Sequence, residues 1–564
     1  MTEGEGAERS PVARDLVVLL GVVLGLLALF ANKAFTIDDT LFLWLGRQIL
    51  DRPLDFFGFD VNWYGTVMPM HEVTKNPPLA GYFLAAAASL LGWTEPALHL
   101  AFLLPAAFAA SGTYFLARRF CRRPLVASMI GLLTPAFLVS STNVMCDTMM
   151  LAFFCWAFVL WRRGIDSGSW LALAAAAVLA ALAFLTKYFG IAVVPLMAVH
   201  GAMHRRRIGV WALPLLVPLA ALVAYELATH SLYGKALFLD AMHFAGQSDG
   251  LARPDIAGRF VVGLVFAGGC LATVLFFAPI LYARTGRFVL GAAFAGTLVL
   301  ALVAGALPGI APLPTENFAL SFWMQAIAMA VGGGVVLHLC FEELRRNRDA
   351  DAAVLSLWMI GTFVFAAFLN WVNNGRSNLP MAAVIGILVV RRLDAMKNEA
   401  VAPGRFAARA ALALGLVVGA ATALSDTLWA NSVRDVARGL ASRHRASGAP
   451  IRFQGHWGFQ WYMQAEGAEA IDLSGERLYE GDLVVVPVNN TQIVPLTTDF
   501  AEIVEIVRRP EPAFLRTMSN ASNAGFYSSA SGVLPYRVGI CAPDVYAVMR
   551  VLSDRRLVLR NGFR

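Results

Sequence analysis

LVVLLGVVLGLLALFANKAFTIDDT, residues 16–40, begins with an apolar run of membrane-spanning length and ends on two adjacent acids, Asp38 and Asp39. A carboxylate at the end of a spanning helix loses part of its hydration, so such acids persist mainly where they pair with cations, bind ions or take up protons. Arg9 and Arg14 precede the run, as in a signal peptide, but no small-residue cleavage site follows it. The stretch therefore predicts a retained membrane anchor followed by functional acids.

The composition is typical of a chain that lies mostly within a lipid bilayer. Of the 564 residues, 58% are hydrophobic and only 15% are charged, and the mean hydropathy is +0.63. These values indicate a polytopic membrane protein. The net charge of +7 comes from short basic clusters between apolar runs, which is typical of cytoplasmic loops and excludes nucleic-acid binding. The six cysteines show no paired spacing, so neither a zinc ribbon nor a disulfide framework is predicted.

Apolar runs of about twenty residues predict about thirteen membrane spans. They lie at 16–31, 98–117, 124–143, 148–161, 169–186, 188–203, 208–229, 259–282, 288–307, 319–341, 353–372, 379–392 and 406–424. A further run, Leu79 to Trp93, is short enough to lie in the membrane plane. If it does, and the N-terminus is cytoplasmic, the arginine clusters between the later spans all face the cytoplasm, as the positive-inside rule requires.

This topology divides the chain into two domains. Residues 1–424 form the transmembrane domain, with in-plane helices in an outer loop at about 34–97. Residues 425–564 have only short apolar runs and are predicted to form a soluble α/β domain that faces the periplasm or exterior. Within it, residues 452–463 predict a strand, a glycine turn and a helix, whose aromatic side chains either pack in a core or stack on sugars.

The polar residues that interrupt the apolar pattern outside the basic clusters all fall on the outer side. They are Asp38, Asp39, Lys75, Asn76, Asp147, Lys187, His243 and Arg376. A secondary transporter needs ionisable groups near the middle of the membrane to serve both sides in turn. Groups gathered at one face instead predict a one-sided reaction on a substrate in the outer leaflet.

Four features, in this order along roughly the first 390 residues, resemble the bacterial branch of the protein mannosyltransferase and aminoarabinose transferase superfamily. They are the acid pair after the first span, Lys75-Asn76-Pro77-Pro78-Leu79, Asp147 at the start of the fourth span, and Lys187 after Ala-Leu-Ala-Phe-Leu-Thr. The resemblance implies a GT-C fold and a sugar donor carried on a polyprenyl phosphate. It also implies inverting transfer to a lipid, glycan or protein acceptor at the outer face of the cytoplasmic (inner) membrane.

The resemblance implies a catalytic role for the acids. Attack on an anomeric carbon needs a base for the acceptor's proton and cations for the departing phosphate. Asp38 or Asp39 matches the family's first-loop acid and is the expected general base, whereas the alternative is a helix N-cap. Asp147 matches the second acid, which orients the acceptor or holds a cation. Its alternative is again a helix cap.

The remaining residues are expected to bind the lipid phosphate. Lys75 and Asn76 depart from the family, which has an acid and a lysine, or a histidine, before a single proline, and Lys75 could instead extend to lipid headgroups. Lys187 lies between apolar runs, where an unpaired lysine is costly. Arg376, in Asn-Gly-Arg-Ser-Asn-Leu-Pro, matches an arginine before a late span of the family. A guanidinium suits a phosphate ligand because it can donate hydrogen bonds to two phosphate oxygens at once.

His243 lies where aminoarabinose transferases carry a Glu-His pair, but the preceding residue here is Met242. A single imidazole binds divalent ions poorly, so His243 is expected either to bond phosphate or to lie on the surface. No cofactor is predicted, and a requirement for a divalent cation stays open.

Three other functions share parts of the pattern. A transporter or flippase would show internal repeats and broken helices with charge in the middle of the membrane. A non-catalytic scaffold that binds lipid-linked glycans would tolerate the departures at Asn76 and Met242. A phosphoethanolamine-type phosphotransferase would need a threonine nucleophile among metal ligands in the outer domain, and the sequence has no such cluster.

Overall fold

A computed structural model describes residues 12–246, 255–282, 316–398, 405–445, 450–512 and 514–557. Most of the first 445 residues in these ranges are helical. The α-helices are Val12–Ala28, Asp39–Asp51, Met70–Val73, Leu79–Leu91, Glu95–Phe120, Pro124–Leu132, Pro135–Ser141, Asp147–Ser167, Trp170–Thr186, Val193–Arg205, Leu216–Tyr233, Leu237–Gly246, Ile256–Cys270, Thr273–Leu281, Glu316–Asn347, Ala350–Val364, Gly375–Asn398 and Arg405–Arg445. Short 3-10 helices cover Tyr188–Ala192 and Val210–Leu215, and a π-helix covers Phe365–Leu369.

Helices occupy every predicted span except 288–307, which lies outside the described residues. By length and composition, six of the described helices can cross a membrane, or up to eight if each of two bent pairs is one span. The two bent pairs lie at the predicted spans 124–143 and 259–282. The first bends by 69° before Pro135, which disfavours helical backbone at the residue before it, and the second bends by 92° after Cys270.

The outer loop contains two short helices that pack closely together. Helix Leu79–Leu91 has 13 residues and is therefore about 20 Å long, which is too short to cross a hydrocarbon core of about 30 Å. It packs on helix Asp39–Asp51 through two glycines. A Cβ added at Gly46 would lie 2.7 Å from Leu84, and one at Gly81 would lie 2.5 Å from Leu45.

The C-terminal region is built on a five-stranded mixed sheet. Its strands lie in the spatial order Glu469–Ala470, Ile451–Phe453, Leu483–Pro487, Asp544–Val551 and Ala501–Arg509. The first three strands are parallel to one another. Strand Asp544–Val551 pairs antiparallel with both of its neighbours, Leu483–Pro487 and Ala501–Arg509. Short strands cover Arg477–Leu478, Leu515–Arg516, Met518–Ser519, Ala524–Gly525, Arg537–Val538 and Arg555–Arg556, and a membrane-side hairpin pairs Asp60–Asn62 with Val67–Pro69.

The predicted strand, turn and helix over 452–463 are confirmed. Strand Ile451–Phe453 is followed by Gly455, whose φ of +85° suits a residue without a Cβ, and by helix Trp457–Ala465. Together with the sheet, this helix forms the α/β domain expected beyond the membrane helices. The fold class predicted from the sequence, a polytopic helical membrane protein with a C-terminal α/β domain, is therefore confirmed.

Two of the connections between the C-terminal domain and the membrane helices are a continuous helix and a docked segment. Helix Arg405–Arg445 runs without a break from the last apolar run into the C-terminal domain. Residues 515–538, which we call the return segment, leave the domain and lie against the membrane helices. The Gly375 amide donates to the Phe526 carbonyl at 2.6 Å, and the Ser529 amide donates to the Asn373 carbonyl at 2.8 Å.

Candidate active site

The acid pair lies in a strained turn. Ile37, buried and β-branched, has a φ of +46°, a left-handed conformation that costs such a residue about 1–3 kcal/mol. The two carboxyl groups that follow differ in their exposure to solvent. The side chain of Asp38 is 25% exposed, whereas Asp39 is fully buried. The turn therefore places two adjacent acids in different surroundings.

Asp39 binds backbone amides with both oxygens. Its Oδ2 accepts from the Thr36 amide and its Oδ1 from the Val144 amide, each at 2.9 Å. The carboxyl group thus joins its own turn to the loop before helix Asp147–Ser167. Burial raises the pKa of Asp39 to about 7, against the opposing effects of Lys33 and the two amides.

Four side chains of alternating charge form a row that starts at the other acid. Asp38 Oδ2 lies 2.6 Å from Arg376 Nη2, Arg376 Nη1 lies 3.8 Å from Asp147 Oδ2, and Asp147 Oδ1 lies 2.5 Å from Lys187 Nζ. Asp147 is buried, while Lys187 keeps 18% of its side chain exposed. The two negative and two positive charges cancel, which lowers the cost of placing these side chains at the end of a helical bundle.

Helix ends position three of these four side chains. Asp147 is the first residue of helix Asp147–Ser167, and Lys187 directly follows helix Trp170–Thr186, so each charge opposes the local helix dipole. Arg376 lies in the first turn of helix Gly375–Asn398. The capping alternative does not describe Asp38: it occupies the N-cap position of helix Asp39–Asp51, but its side chain makes no capping bond.

Lys75 and Asn76 lie beside this row with partners of their own. Lys75 Nζ is 2.7 Å from Asp240 Oδ2 and 5.1 Å from the ring centroid of Phe244. The Asn76 Oδ1 accepts from the Cys146 thiol, with its sulfur at 3.6 Å. Asn76 thus touches the residue next to Asp147, while Lys75 ties the outer loop to helix Leu237–Gly246.

His243 lies on that same helix, Leu237–Gly246, and is exposed. Within the described ranges, no group of three or more His, Cys, Asp or Glu side chains is placed to hold a metal ion. Asp38 and Asp147 each contact a cationic side chain instead. The described residues therefore do not fit a divalent-ion site.

A buried cluster behind the row was not predicted from the sequence. Lys33, fully buried, donates to Asp426 Oδ2 and Asn143 Oδ1, both at 2.6 Å. The Tyr527 hydroxyl donates to the same Asp426 oxygen at 2.6 Å. Lys33 and Asp426 each follow an apolar run by two residues, a position that could have marked them. No sequence signal marks Tyr527.

Comparison with known proteins supports the resemblance seen in the sequence. Residues 75–230 match the family model of dolichyl-phosphate-mannose-protein mannosyltransferase, a stretch that contains Lys75, Asp147 and Lys187. No curated protein matches the chain.

Among solved structures, ArnT from Cupriavidus metallidurans bound to undecaprenyl phosphate is similar at 14% identity and a TM-score of 0.49, over 84% of this chain and 93% of its own. The apo oligosaccharyltransferase of Archaeoglobus fulgidus is similar at 14% identity and a TM-score of 0.47, over 82% of this chain. The present chain spans 65% of that archaeal protein. Through the family match over residues 75–230, the resemblance to the protein mannosyltransferase and aminoarabinose transferase superfamily of GT-C glycosyltransferases is confirmed.

Proposed function

We propose that this protein is an inverting glycosyltransferase that moves a sugar from a polyprenyl phosphate to a lipid, glycan or protein acceptor. The reaction takes place at the outer face of the cytoplasmic membrane, opposite the arginine clusters. The observation that carries the proposal is the row Asp38, Arg376, Asp147 and Lys187, which places a partly exposed acid and two cations at one end of the bundle.

Arg376 and Lys187 are the groups that bind the donor phosphate. They contact opposite oxygens of the buried Asp147 and keep 12% and 18% of their own side chains exposed, so a phosphate that approaches from their exposed side meets both. A guanidinium and an ammonium together neutralise the charge that develops on the leaving phosphate. Asp147 holds the two cations at a fixed separation before the donor arrives.

Asp38 is the general base, and Asp39 is not. A general base must reach the acceptor's hydroxyl, and the side chain of Asp38 is partly exposed. Asp39 is fully buried, and both its oxygens already accept from backbone amides. Asp39 instead fixes the strained turn from which Asp38 projects.

Donor binding also frees the base. In the structure, Arg376 Nη2 lies 2.6 Å from Asp38 Oδ2, so the guanidinium occupies one of the two carboxylate oxygens. A phosphate that binds the same guanidinium competes with Asp38 for it. The carboxylate is then released at the moment when an acceptor proton must be removed, and this predicts that donor binds before acceptor.

The proposal is tested with purified protein in nanodiscs, titrated with undecaprenyl phosphate and measured by native mass spectrometry. Arg376→Ala is expected to lose the bound lipid, whereas Arg118→Ala, an exposed arginine at the far end of helix Glu95–Phe120, keeps it. Folded wild-type protein that retains no undecaprenyl phosphate would overturn the donor class. Binding that Asp38→Asn leaves intact, together with loss of sugar transfer in that variant, would exclude the scaffold alternative.

A further inference from the structure

The C-terminal domain places one side chain directly behind the candidate active site. Tyr527 lies in the return segment, is buried, and its ring centroid is 5.7 Å from the guanidinium carbon of Arg376. Its hydroxyl donates to Asp426 at 2.6 Å and accepts from Asn143 Nδ2 at 3.0 Å. Tyr527 therefore touches the membrane domain through both its ring and its hydroxyl.

Those bonds close a ring of four side chains. Lys33 Nζ donates to Asn143 Oδ1 and to Asp426 Oδ2, each at 2.6 Å, and Tyr527 joins Asp426 to Asn143. Every member is at most a few per cent exposed. Burial raises the pKa of Tyr527 well above its ordinary range, with Asp426 contributing further, so its hydroxyl keeps the proton that it donates.

The ring bonds to the loop that positions the proposed catalytic groups. Asn143 is followed at once by Val144, whose amide binds Asp39, and then by Met145, whose sulfur lies 2.9 Å from Arg376 Nη1. Asp147 begins the helix two residues later. A displacement of Asn143 thus moves the partners of Asp39 and Arg376 together.

We propose that Tyr527 is a positioning residue by which the C-terminal domain completes the phosphate-binding site, acting through Asn143 on the loop 143–147 and through its ring on Arg376. This inference rests on the proposed function, since it assigns Arg376 to the donor phosphate. It gives the C-terminal domain a role in the reaction itself, because Lys33 and Asn143 belong to the transmembrane domain, Asp426 to the helix that joins the two domains, and Tyr527 to the strand-rich region beyond that helix.

A buried ionic cluster is weak evidence for stability, because desolvation offsets much of its attraction. Its position beside the site fits a role in fixing geometry. The return segment is also anchored by backbone bonds from Phe526 and Ser529 to residues 373–375, which do not need the Tyr527 hydroxyl. Removing that hydroxyl should therefore leave the domain docked while loosening the loop.

The chain offers a matched control in the same segment. Tyr536 is also buried, and its hydroxyl donates to a membrane-helix carbonyl, that of Gly269, at 3.2 Å. Tyr527→Phe and Tyr536→Phe each remove one buried hydroxyl that joins the return segment to the helices. Only the first removes a bond to Asn143.

The experiment uses the full-length protein in nanodiscs with undecaprenyl phosphate as the probe. Tyr527→Phe is expected to weaken binding about tenfold, while Tyr536→Phe leaves it unchanged. Combining Tyr527→Phe with Asn143→Ala should add little further loss, because both act through one loop. Equal effects of the two tyrosine variants, or none from Tyr527→Phe, would overturn the inference.

Hydrogen–deuterium exchange without ligand separates this inference from the proposed function. Amides 143–147 should exchange faster in Tyr527→Phe than in wild type or Tyr536→Phe. Unchanged exchange there overturns the positioning role even if undecaprenyl phosphate binds. If exchange changes but wild-type protein binds no undecaprenyl phosphate, the donor assignment is wrong and the structural link from Tyr527 to the loop stands.

Discussion

Asp38 and Arg376 form a 2.6 Å ion pair although 338 residues separate them in the sequence. One lies in the first outer turn and the other at the start of helix Gly375–Asn398. Their contact joins the proposed base to the proposed phosphate ligand, so a change at either residue alters the surroundings of the other.

Asp38→Asn is expected to abolish transfer without weakening donor binding. The amide cannot accept the acceptor's proton, and loss of a general base typically reduces rate by 10²–10⁴-fold. Because the variant also removes the anion that competes for Arg376, undecaprenyl phosphate should bind as tightly as in wild type or more tightly. Native mass spectrometry and a sugar-transfer assay in membranes measure the two effects, and weaker lipid binding would contradict the competition between Asp38 and phosphate.

Asp39→Asn is expected to destabilise the protein. The Asp39 carboxyl accepts one backbone amide on each oxygen, and an asparagine must direct its own N–H groups at one of these donors. Leaving a buried donor unpaired costs about 1–3 kcal/mol. The melting temperature in detergent should fall for Asp39→Asn and stay close to wild type for the partly exposed Asp38→Asn. An equal fall in the melting temperature of both variants would contradict the assignment of a structural role to Asp39 and of the general-base role to Asp38.

Stability should depend on pH through Asp39. Burial raises the pKa of Asp39 to about 7 from an ordinary value of 3.8, so between these values the folded chain holds a proton that the unfolded chain has released. The contribution of this group to stability is therefore greatest below pH 4 and is lost as pH rises to about 7. Melting temperatures of wild type and Asp39→Asn across this range should differ in slope, and parallel curves would show that Asp39 is already ionised.

Lys187→Ala should weaken both donor binding and rate, by a few kcal/mol if the ammonium neutralises a phosphate at a largely buried site. Lys235→Ala is the matched control, since Lys235 pairs with Glu72 at 2.6 Å in the outer loops but is 46% exposed. Undecaprenyl phosphate titrations of the two variants give the comparison. Similar losses in both would indicate a general electrostatic attraction of the lipid to the outer surface.

Lys75→Ala should have a smaller effect than Lys187→Ala. Lys75 has a partly exposed partner of its own, Asp240, and its loss leaves the row from Asp38 to Lys187 intact. Donor affinity measured as above should fall by less than for Lys187→Ala. A larger loss would place the donor phosphate between the outer loop and helix Leu237–Gly246.

The sequence was sufficient to locate the helices of the membrane region because hydrophobic runs are a local property, whereas the number of membrane spans stays a prediction. Each predicted span within the described residues coincides with a helix or a helix pair. It was insufficient at 124–143 and 259–282, where a chain of apolar composition bends by 69° and 92°. The composition of a segment indicates whether the segment lies in lipid or in water. Packing against neighbouring helices determines whether it is straight.

For the candidate site, the sequence by itself was enough to select charged residues that come together in the structure, because polar residues that interrupt apolar runs are a local signal and charge placement predicts the side on which they lie. Asp38, Asp147, Lys187 and Arg376 were all named on that ground. Only the tertiary structure decided their pairing, the burial that separates Asp39 from Asp38, and the ring formed by Lys33, Asn143, Asp426 and Tyr527. These depend on contacts between segments hundreds of residues apart, for which a single sequence has no local signal.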